Sequence, residues 1–146
     1  EISRETGIPY REVLTVKKGR SFILPRQTVR ESLVKEKFDI NVNMCRGKRI
    51  LLVDDSIVRG TTMKSLIKKF RDAKVSYIAV ASCAPPVISP NDIPSKKELV
   101  VNQGYGGDVK KILGADKVIY QNLIDIVSAF LPLNHDLQGF ECSMFV

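Results

Sequence analysis

Two adjacent acidic residues, Asp54 and Asp55, are followed in one short segment by Gly60, Thr61 and Thr62. Neighbouring carboxylates repel each other and lose solvation when buried, so they need partners such as ribose hydroxyls or a hydrated Mg²⁺. Glycine adopts a positive φ readily, and threonines at a helix start add hydroxyls to free backbone amides that attract an anion. These residue types, in this order, predict a site for a sugar phosphate.

The elements around this segment predict how its residues are positioned. Residues 50–53 are an apolar run typical of a buried parallel strand, residues 61–73 have the periodicity of a helix, and residues 76–82 predict a second buried strand. Strand, loop, helix and strand form a βαβ unit, and open sheets of this type bind ligands at the carboxyl ends of their strands. The predicted inward face of the helix holds Leu66, Ile67 and Phe70.

The same segment is also compatible with a purely structural role. A buried strand followed by a helix, with Asp54 or Asp55 as its cap, needs no ligand. A generic sugar-phosphate site or a phosphorylated aspartate would fit the spacing too. Arg59, a basic residue within the loop, contacts either a ligand or only solvent on this pattern. The residues alone leave these alternatives undecided.

The rest of the chain contains further helix and strand patterns. Gly7 followed by Pro9 ends a helix that covers residues 1–6, and Ser95 with Glu98 three residues later has the spacing of a capping box. Residues 84–94 hold four prolines and are expected to be irregular. The other predicted elements are strands at 10–16, 117–120 and 140–146, helices at 27–38, 108–113 and 122–131, and a loop at 39–47.

Composition narrows the class of protein. The net charge is +7, and residues 1–49 hold twelve basic and six acidic residues against eleven and ten in the remainder. The excess of basic residues in 1–49 suits a polyanionic small ligand. Because the sequence has no Trp and no nucleic-acid motif, no nucleic-acid partner is expected. The three cysteines are widely spaced, and no apolar run approaches the roughly 20 residues of a membrane span. These features indicate a cytoplasmic protein without membrane association.

The segment ILLVDDSIVRGTT, residues 50–62, resembles the phosphoribosyl pyrophosphate signature of type I phosphoribosyltransferases. Its individual residues resemble still more closely those of the amidophosphoribosyltransferases, the glutamine phosphoribosyl pyrophosphate amidotransferases of purine synthesis. The similarity extends in order through nearly the whole chain. The segments that carry it are GIPYREVL, GRSFILPRQ, the basic predicted helix that ends in Lys37, ASCAPP, LGADKVIYQNLIDIV and FECSMF.

The resemblance implies a fold and an activity. The fold would be α/β, a Rossmann-like parallel-sheet phosphoribosyltransferase domain that covers residues 1–146 and is incomplete at the N-terminus. The activity would be the transfer of ammonia from glutamine to phosphoribosyl pyrophosphate, giving 5-phosphoribosylamine, pyrophosphate and glutamate in the first step of purine (IMP) synthesis. This chain would supply only the phosphoribosyl-transfer part, as one subunit of a homo-oligomer.

The resemblance also implies roles for individual residues. Asp54 and Asp55 match acids that bind the ribose hydroxyls and Mg²⁺. Residues 19–37 match a mobile loop that closes over the substrate, in which Arg20 and Lys37 are the catalytic cations that meet the pyrophosphate. The 5′-phosphate loop would consist of Ser56, Ile57, Val58, Arg59, Gly60, Thr61 and Thr62.

Some features of the family pattern are missing from this sequence. The glutaminase domain and the pyrophosphate-binding loop would both precede Glu1, and residues 15–18 look shorter than the matching run in the family. Asn91 stands where a cluster cysteine is expected and Cys142 has no cysteine partner at Phe145, so we expect no iron–sulfur cluster.

Two other functions remain open at this point. A salvage phosphoribosyltransferase would attach a free nucleobase, although the sequence has no obvious base-stacking hood. A non-catalytic fragment or regulator would keep the ribose-phosphate loop as a sensor. The missing pyrophosphate loop supports the second alternative, while the absence of a DNA-binding motif opposes its regulator version.

Overall fold

The computed structural model describes residues 1–16, 38–89, 96–103, 107–133 and 139–145. The chain begins with helix α1 (Ile2–Thr6), which ends at Gly7 in the left-handed conformation, as its sequence predicts. Strand β1 (Leu14–Val16) pairs antiparallel with β2 (Phe38–Ile40). The short helix α2 (Val42–Cys45) follows, and the side chain of Asn41 caps it by accepting from the Met44 N–H.

A parallel sheet of three strands forms the centre of the described structure. Its order is β3 (Arg49–Asp54), β4 (Tyr77–Ser82) and β5 (Lys117–Tyr120). Asp54 pairs with Ser82, and Ser82 pairs with Tyr120. The carboxyl ends of all three strands therefore reach the same edge of the sheet. The predicted α/β class with a parallel sheet is confirmed.

Helix α3 (Thr61–Asp72) connects β3 to β4 and packs on the sheet. Its predicted inward residues are buried, and Phe70 has no exposed surface. Burying such side chains stabilises each by about 1.5–3 kcal/mol relative to exposure, so this face of α3 holds the helix on the sheet. The buried hydrophobic residues of the core also include Met63, Leu66, Ile67, Ile78, Val80, Val100 and Leu113.

The C-terminal half adds short elements around the same core. Two 3₁₀ turns, Lys96–Glu98 and Val100–Asn102, precede helix α4 (Val109–Leu113) and helix α5 (Leu123–Phe130), and a third 3₁₀ turn, Leu131–Leu133, follows. The Asp108 side chain caps α4 by accepting from the Lys111 N–H at 3.3 Å. The Asn122 side chain caps α5 by accepting from the Ile124 N–H, and the two helices agree with those predicted at 108–113 and 122–131.

Several predicted elements differ from the structure. The strand predicted at 10–16 begins only at Leu14, and Phe38–Ile40 is a strand instead of the end of a helix and a loop. Phe38 and Ile40 are half-buried around an exposed Asp39, but this alternation is too short to identify a strand from sequence. The rest of the helix predicted at 27–38 lies outside the described residues.

Two more predictions near the C-terminus are wrong. Lys96–Glu98 is a single 3₁₀ turn instead of a capped helix, and Ser95, its predicted cap, lies outside the described residues. Residues 143–145 form a turn instead of a strand, and their backbone is fixed by local bonds such as Phe145 N–H to the Cys142 carbonyl. None of the helices in the described ranges has the length and apolar character that crossing a membrane requires.

Candidate functional site

Strand β3 delivers the two acids to the carboxyl edge of the sheet. Asp54 is its last residue, and the Asp54 carbonyl accepts from the Cys83 N–H at 3.0 Å, which extends the pairing with the segment after β4. The Asp54 side chain is half-buried and its Oδ1 accepts from the Asp55 N–H at 3.1 Å. Asp55 is exposed, and its Oδ1 accepts from the Ser56 N–H at 2.6 Å.

The environment of Asp54 opposes its negative charge. Burial raises the pKa of the Asp54 carboxyl above its usual range, and the neighbouring Asp55 carboxylate raises it further, against the lowering effect of the Asp55 N–H bond. A cation or a hydroxyl donor bound here would relieve this cost. Burial, and to a lesser extent the neighbouring Asp55 carboxylate, therefore makes the ionised form of Asp54 unfavourable, as expected for two adjacent acids at a strand end.

The ligand loop, which we define as residues 54–62, turns between the strand and the helix. Ile57 is only 2% exposed and packs in the hydrophobic core, so only its backbone is available to a ligand. The Val58 carbonyl accepts from the Val100 N–H at 2.8 Å. Gly60 has φ 73°, and a Cβ at this position would lie 2.7 Å from Leu113 Cδ2. The predicted need for glycine is confirmed, and it has both a conformational and a steric cause.

The N-terminus of α3 closes the loop. The Lys64 N–H donates to the Gly60 carbonyl at 2.8 Å as the first helical bond, so the amides of Thr61, Thr62 and Met63 precede the helical hydrogen-bond ladder. The first turn contains no acidic residue, although acids are usually favoured there. This end of the helix therefore keeps its partial positive charge available to an anion.

Arg59 has a protein partner that the sequence did not predict. Its Nε lies 3.3 Å from Glu98 Oε1, and both side chains are about one-third exposed. The geometry is that of an ion pair without a hydrogen bond, since the buried Nε has no acceptor within the described structure. The Arg59 guanidinium is thus held against the segment that follows the second strand of the βαβ unit.

Gln103 is a site residue that sequence reasoning missed. Its Nε2 donates to the Arg59 carbonyl at 3.1 Å and to the Glu98 carbonyl at 3.0 Å. Its Oε1 accepts from Lys64 Nζ at 2.7 Å. These bonds join the ligand loop, helix α3 and the 3₁₀ segment. No local pattern around Gln103 signals this role, because its partners are distant in sequence.

The predicted site residues differ in where the structure places them. Asp54 and Thr62, near the two ends of the ligand loop, both line a cleft of about 1300 Å³ between the N-terminal segment and the β3–α3 face. Arg20 and Lys37 lie outside the described residues, as does the predicted mobile loop at 19–37. Within the described ranges, no group of three or more His, Cys, Asp or Glu side chains is arranged to hold a metal ion.

Known proteins are similar to this chain in sequence over most or nearly all of its length. The amidophosphoribosyltransferase of Escherichia coli is 41% identical over an alignment 151 positions long, which covers 99% of this chain and 30% of the relative. The amidophosphoribosyltransferase of Methanothermobacter thermautotrophicus is 40% identical over 131 residues, 86% of this chain and 28% of the relative. The chain is homologous to the C-terminal portion of amidophosphoribosyltransferases.

Solved structures resemble the chain as well. The Bacillus subtilis glutamine phosphoribosylpyrophosphate amidotransferase, solved with ADP and GMP, has a TM-score of 0.74 and 28% identity. It aligns over 99% of this chain, which covers 33% of that structure. None of the protein-family profiles searched matches the chain. The chain spans about a third of the length of these relatives.

Proposed function

We propose that this chain is the phosphoribosyl-transfer part of an amidophosphoribosyltransferase. It would bind phosphoribosyl pyrophosphate and hold the sugar while ammonia attacks the anomeric carbon. The bond from that carbon to the pyrophosphate oxygen breaks, pyrophosphate leaves with the bonding electrons, and 5-phosphoribosylamine forms after loss of a proton. In the complete enzyme the ammonia would come from glutamine, which is hydrolysed to glutamate in the first step of purine synthesis.

One observation carries this proposal. Asp54, a half-buried acid with a raised pKa, stands at one end of a loop whose other end is the acid-free N-terminus of helix α3. A carboxylate accepts hydrogen bonds from ribose hydroxyls, and free helix amides bind a phosphate. The loop therefore offers complementary chemistry to both ends of a ribose 5-phosphate, and the homology supports the same ligand.

Mg²⁺ fits the acids as part of the substrate complex. Mg²⁺ is commonly bound by one or two protein carboxylates together with substrate phosphates and waters, so Asp54 and Asp55 would suffice without a larger protein cage. The raised pKa of Asp54 supports this assignment, because a bound cation would stabilise its ionised form. When bound, the ion would neutralise charge on the pyrophosphate as that group leaves.

The remaining roles come from the family resemblance. Arg20 and Lys37 would direct positive charge at the leaving pyrophosphate and stabilise the charge that develops on it. Closure of the loop at 19–37 would keep water away from the reactive sugar. The backbone of residues 56–62, with the hydroxyls of Thr61 and Thr62, would hold the 5′-phosphate. No side-chain nucleophile is required, since ammonia is the attacking group.

Calorimetry with phosphoribosyl pyrophosphate tests this function directly. We expect binding that strengthens when Mg²⁺ is added, and its loss in the double variant Asp54→Asn with Asp55→Asn. The matched control replaces the exposed acids Asp72 and Asp125 by asparagine, which removes the same charge elsewhere and should leave the affinity unchanged. An unchanged affinity in the first double variant would refute the site.

The same titration separates the alternative functions. Binding of ribose 5-phosphate without any gain from pyrophosphate or Mg²⁺ would favour a non-catalytic binding protein. Binding of a free nucleobase in the presence of phosphoribosyl pyrophosphate would favour a salvage enzyme. We expect neither result, because the homologous proteins along the full chain are amidophosphoribosyltransferases.

A further inference from the structure

The segment at 96–103 packs against the ligand loop. Leu99 and Val100 are fully buried there, and the Val100 N–H donates to the Val58 carbonyl at 2.8 Å. The Val100 side chain would lie 3.1 Å from a Cβ at Gly60. The backbone of the ligand loop is therefore packed against a segment that lies about forty residues further along the chain.

The Gln103 side chain makes polar contacts from this segment to the ligand loop and to helix α3. A primary amide has two N–H donors and one carbonyl acceptor, and all three have partners here. The two donors reach the carbonyls of Arg59 and Glu98, and the acceptor receives Lys64 Nζ. The amide thus holds the loop residue that precedes Gly60 and a lysine in the first turns of α3.

We propose that Gln103 is a positioning residue that fixes the ligand loop for binding of a sugar phosphate. It acts by holding the Arg59 carbonyl, so that Gly60 keeps its left-handed turn and the first amides of α3 stay directed at the loop. Gln103 itself does not touch the ligand in this proposal. The identity of the ligand rests on the proposed function, whereas the fixing of the loop does not.

The bond to Lys64 adds an electrostatic consequence. A cation near a helix N-terminus is unfavourable unless an anion is close by. By accepting from Lys64 Nζ, Gln103 orders this ammonium group beside the first turn of α3. The ordered ammonium would increase the positive potential that an incoming phosphate meets. The proposal therefore gives Gln103 two effects, one on the loop backbone and one on a nearby charge.

Hydrogen exchange of the full chain without ligand tests the effect on the loop. In Gln103→Leu we expect amides of residues 54–62 to exchange about tenfold faster, because a part-buried carbonyl loses its donor. Amides of β4 serve as the internal reference, since a general loss of stability would accelerate both regions. Equal acceleration in the two regions, or none in the loop, would overturn the proposal.

Further variants separate the two sides of the amide. Gln103→Glu keeps an acceptor for Lys64 but has no N–H to donate, so its loop should exchange as fast as in Gln103→Leu. Lys64→Met leaves both carbonyl bonds intact and should have a smaller effect. Lys68→Met, an exposed lysine one turn further along α3, is the matched control and should behave as the wild type. A loop that Gln103→Glu leaves fully protected would contradict the proposal even if Gln103→Leu fails to fold.

Calorimetry with ribose 5-phosphate then tests the consequence for binding. We expect the affinity to fall about tenfold in Gln103→Leu and Gln103→Glu, with no loss in Lys68→Met. A loosened loop with unchanged affinity would refute the positioning role. If the wild-type chain binds neither ribose 5-phosphate nor phosphoribosyl pyrophosphate with Mg²⁺, the proposed function fails, while the exchange measurements still decide whether Gln103 fixes the loop.

Discussion

At the scale of single residues, the ionised Asp54 side chain of the candidate site lowers the stability of the folded chain. A carboxyl whose pKa is raised in the folded state binds its proton more tightly there than in the unfolded chain. Ionised Asp54 therefore costs stability at neutral pH, and the cost disappears as the pH falls below the normal range of an aspartate. Such a cost at the end of a strand is typical of a position selected for binding.

Replacing Asp54 by asparagine should separate stability from binding. We expect Asp54→Asn to raise the free energy of unfolding by about 0.5–1 kcal/mol at neutral pH and to abolish Mg²⁺-dependent binding of phosphoribosyl pyrophosphate. Urea unfolding at neutral and acidic pH measures the first effect, which should vanish in acid. Asp72→Asn, an exposed acid at the end of α3, is the control and should show neither change.

Gly60 allows a second test at the residue scale. An alanine there would adopt φ 73° and would place its Cβ 2.7 Å from Leu113 Cδ2, so we expect a loss of about 2–3 kcal/mol in unfolding free energy. Gly47 is the matched control, because its φ is 69° but nothing lies within 4 Å of its Cβ position. Gly47→Ala should cost only about 1 kcal/mol. Equal costs in urea unfolding would show that the contact with Leu113 is unimportant.

The sequence predicted some of these residues better than others. Gly60, Asp54 and the helix start at Thr61 lie within one short segment, so residue type and order were enough to place them on one loop. Gln103 contacts Lys64 and Arg59 across separations of 39 and 44 residues. A contact at that distance depends on how the chain returns to the loop, which no local pattern contains.

At the scale of elements, the βαβ unit was predictable because its signals are long and consistent. Helix α3 has twelve residues with one apolar face, and β3 and β4 each contain a run of apolar residues. Strand β2 has only three residues, and its extended conformation depends on pairing with β1. Short elements of this kind are determined by tertiary contacts more than by propensity.

The connection between α3 and β4 depends on one carboxylate. Asp116 Oδ2 accepts from the Ile78 N–H at 2.6 Å and from Arg71 Nη2 at 2.7 Å. The Ile78 N–H bond and then the Arg71 guanidinium lower the pKa of the Asp116 carboxyl. The ionised form is thus favoured by folding, and its contribution is present at neutral pH and lost as the pH falls through this lowered pKa.

Asp116→Ala should show this dependence on pH. We expect a loss of about 1–2 kcal/mol in unfolding free energy at neutral pH, because the amide of fully buried Ile78 loses its acceptor. The difference from wild type, followed by urea unfolding, should shrink as the pH is lowered into the range where Asp116 is protonated. Asp125→Ala, an exposed acid on α5, is the comparison, and a similar loss in both variants would contradict the assignment.

At the scale of the whole molecule, the chain corresponds to about a third of each relative, and the proposed function assigns it only the phosphoribosyl-transfer step. Hydrolysis of glutamine by a cysteine requires an accessible thiolate with a lowered pKa and a base beside it. Cys45 is only 1% exposed, and burial raises the pKa of its thiol. Its environment therefore opposes the nucleophilic role.

We accordingly expect this chain to use free ammonia but not glutamine. With phosphoribosyl pyrophosphate and Mg²⁺, an ammonium salt at alkaline pH should drive release of pyrophosphate, while glutamine should yield neither pyrophosphate nor glutamate. The rate with ammonium should rise with pH, because NH₃ and not NH₄⁺ carries the lone pair that attacks the sugar. Glutamate release that disappears in Cys83→Ser, the exposed cysteine at the carboxyl edge of the sheet, would contradict this division of the reaction. Pyrophosphate release with ammonium that survives the loss of Asp54 and Asp55 would locate the sugar-binding chemistry elsewhere.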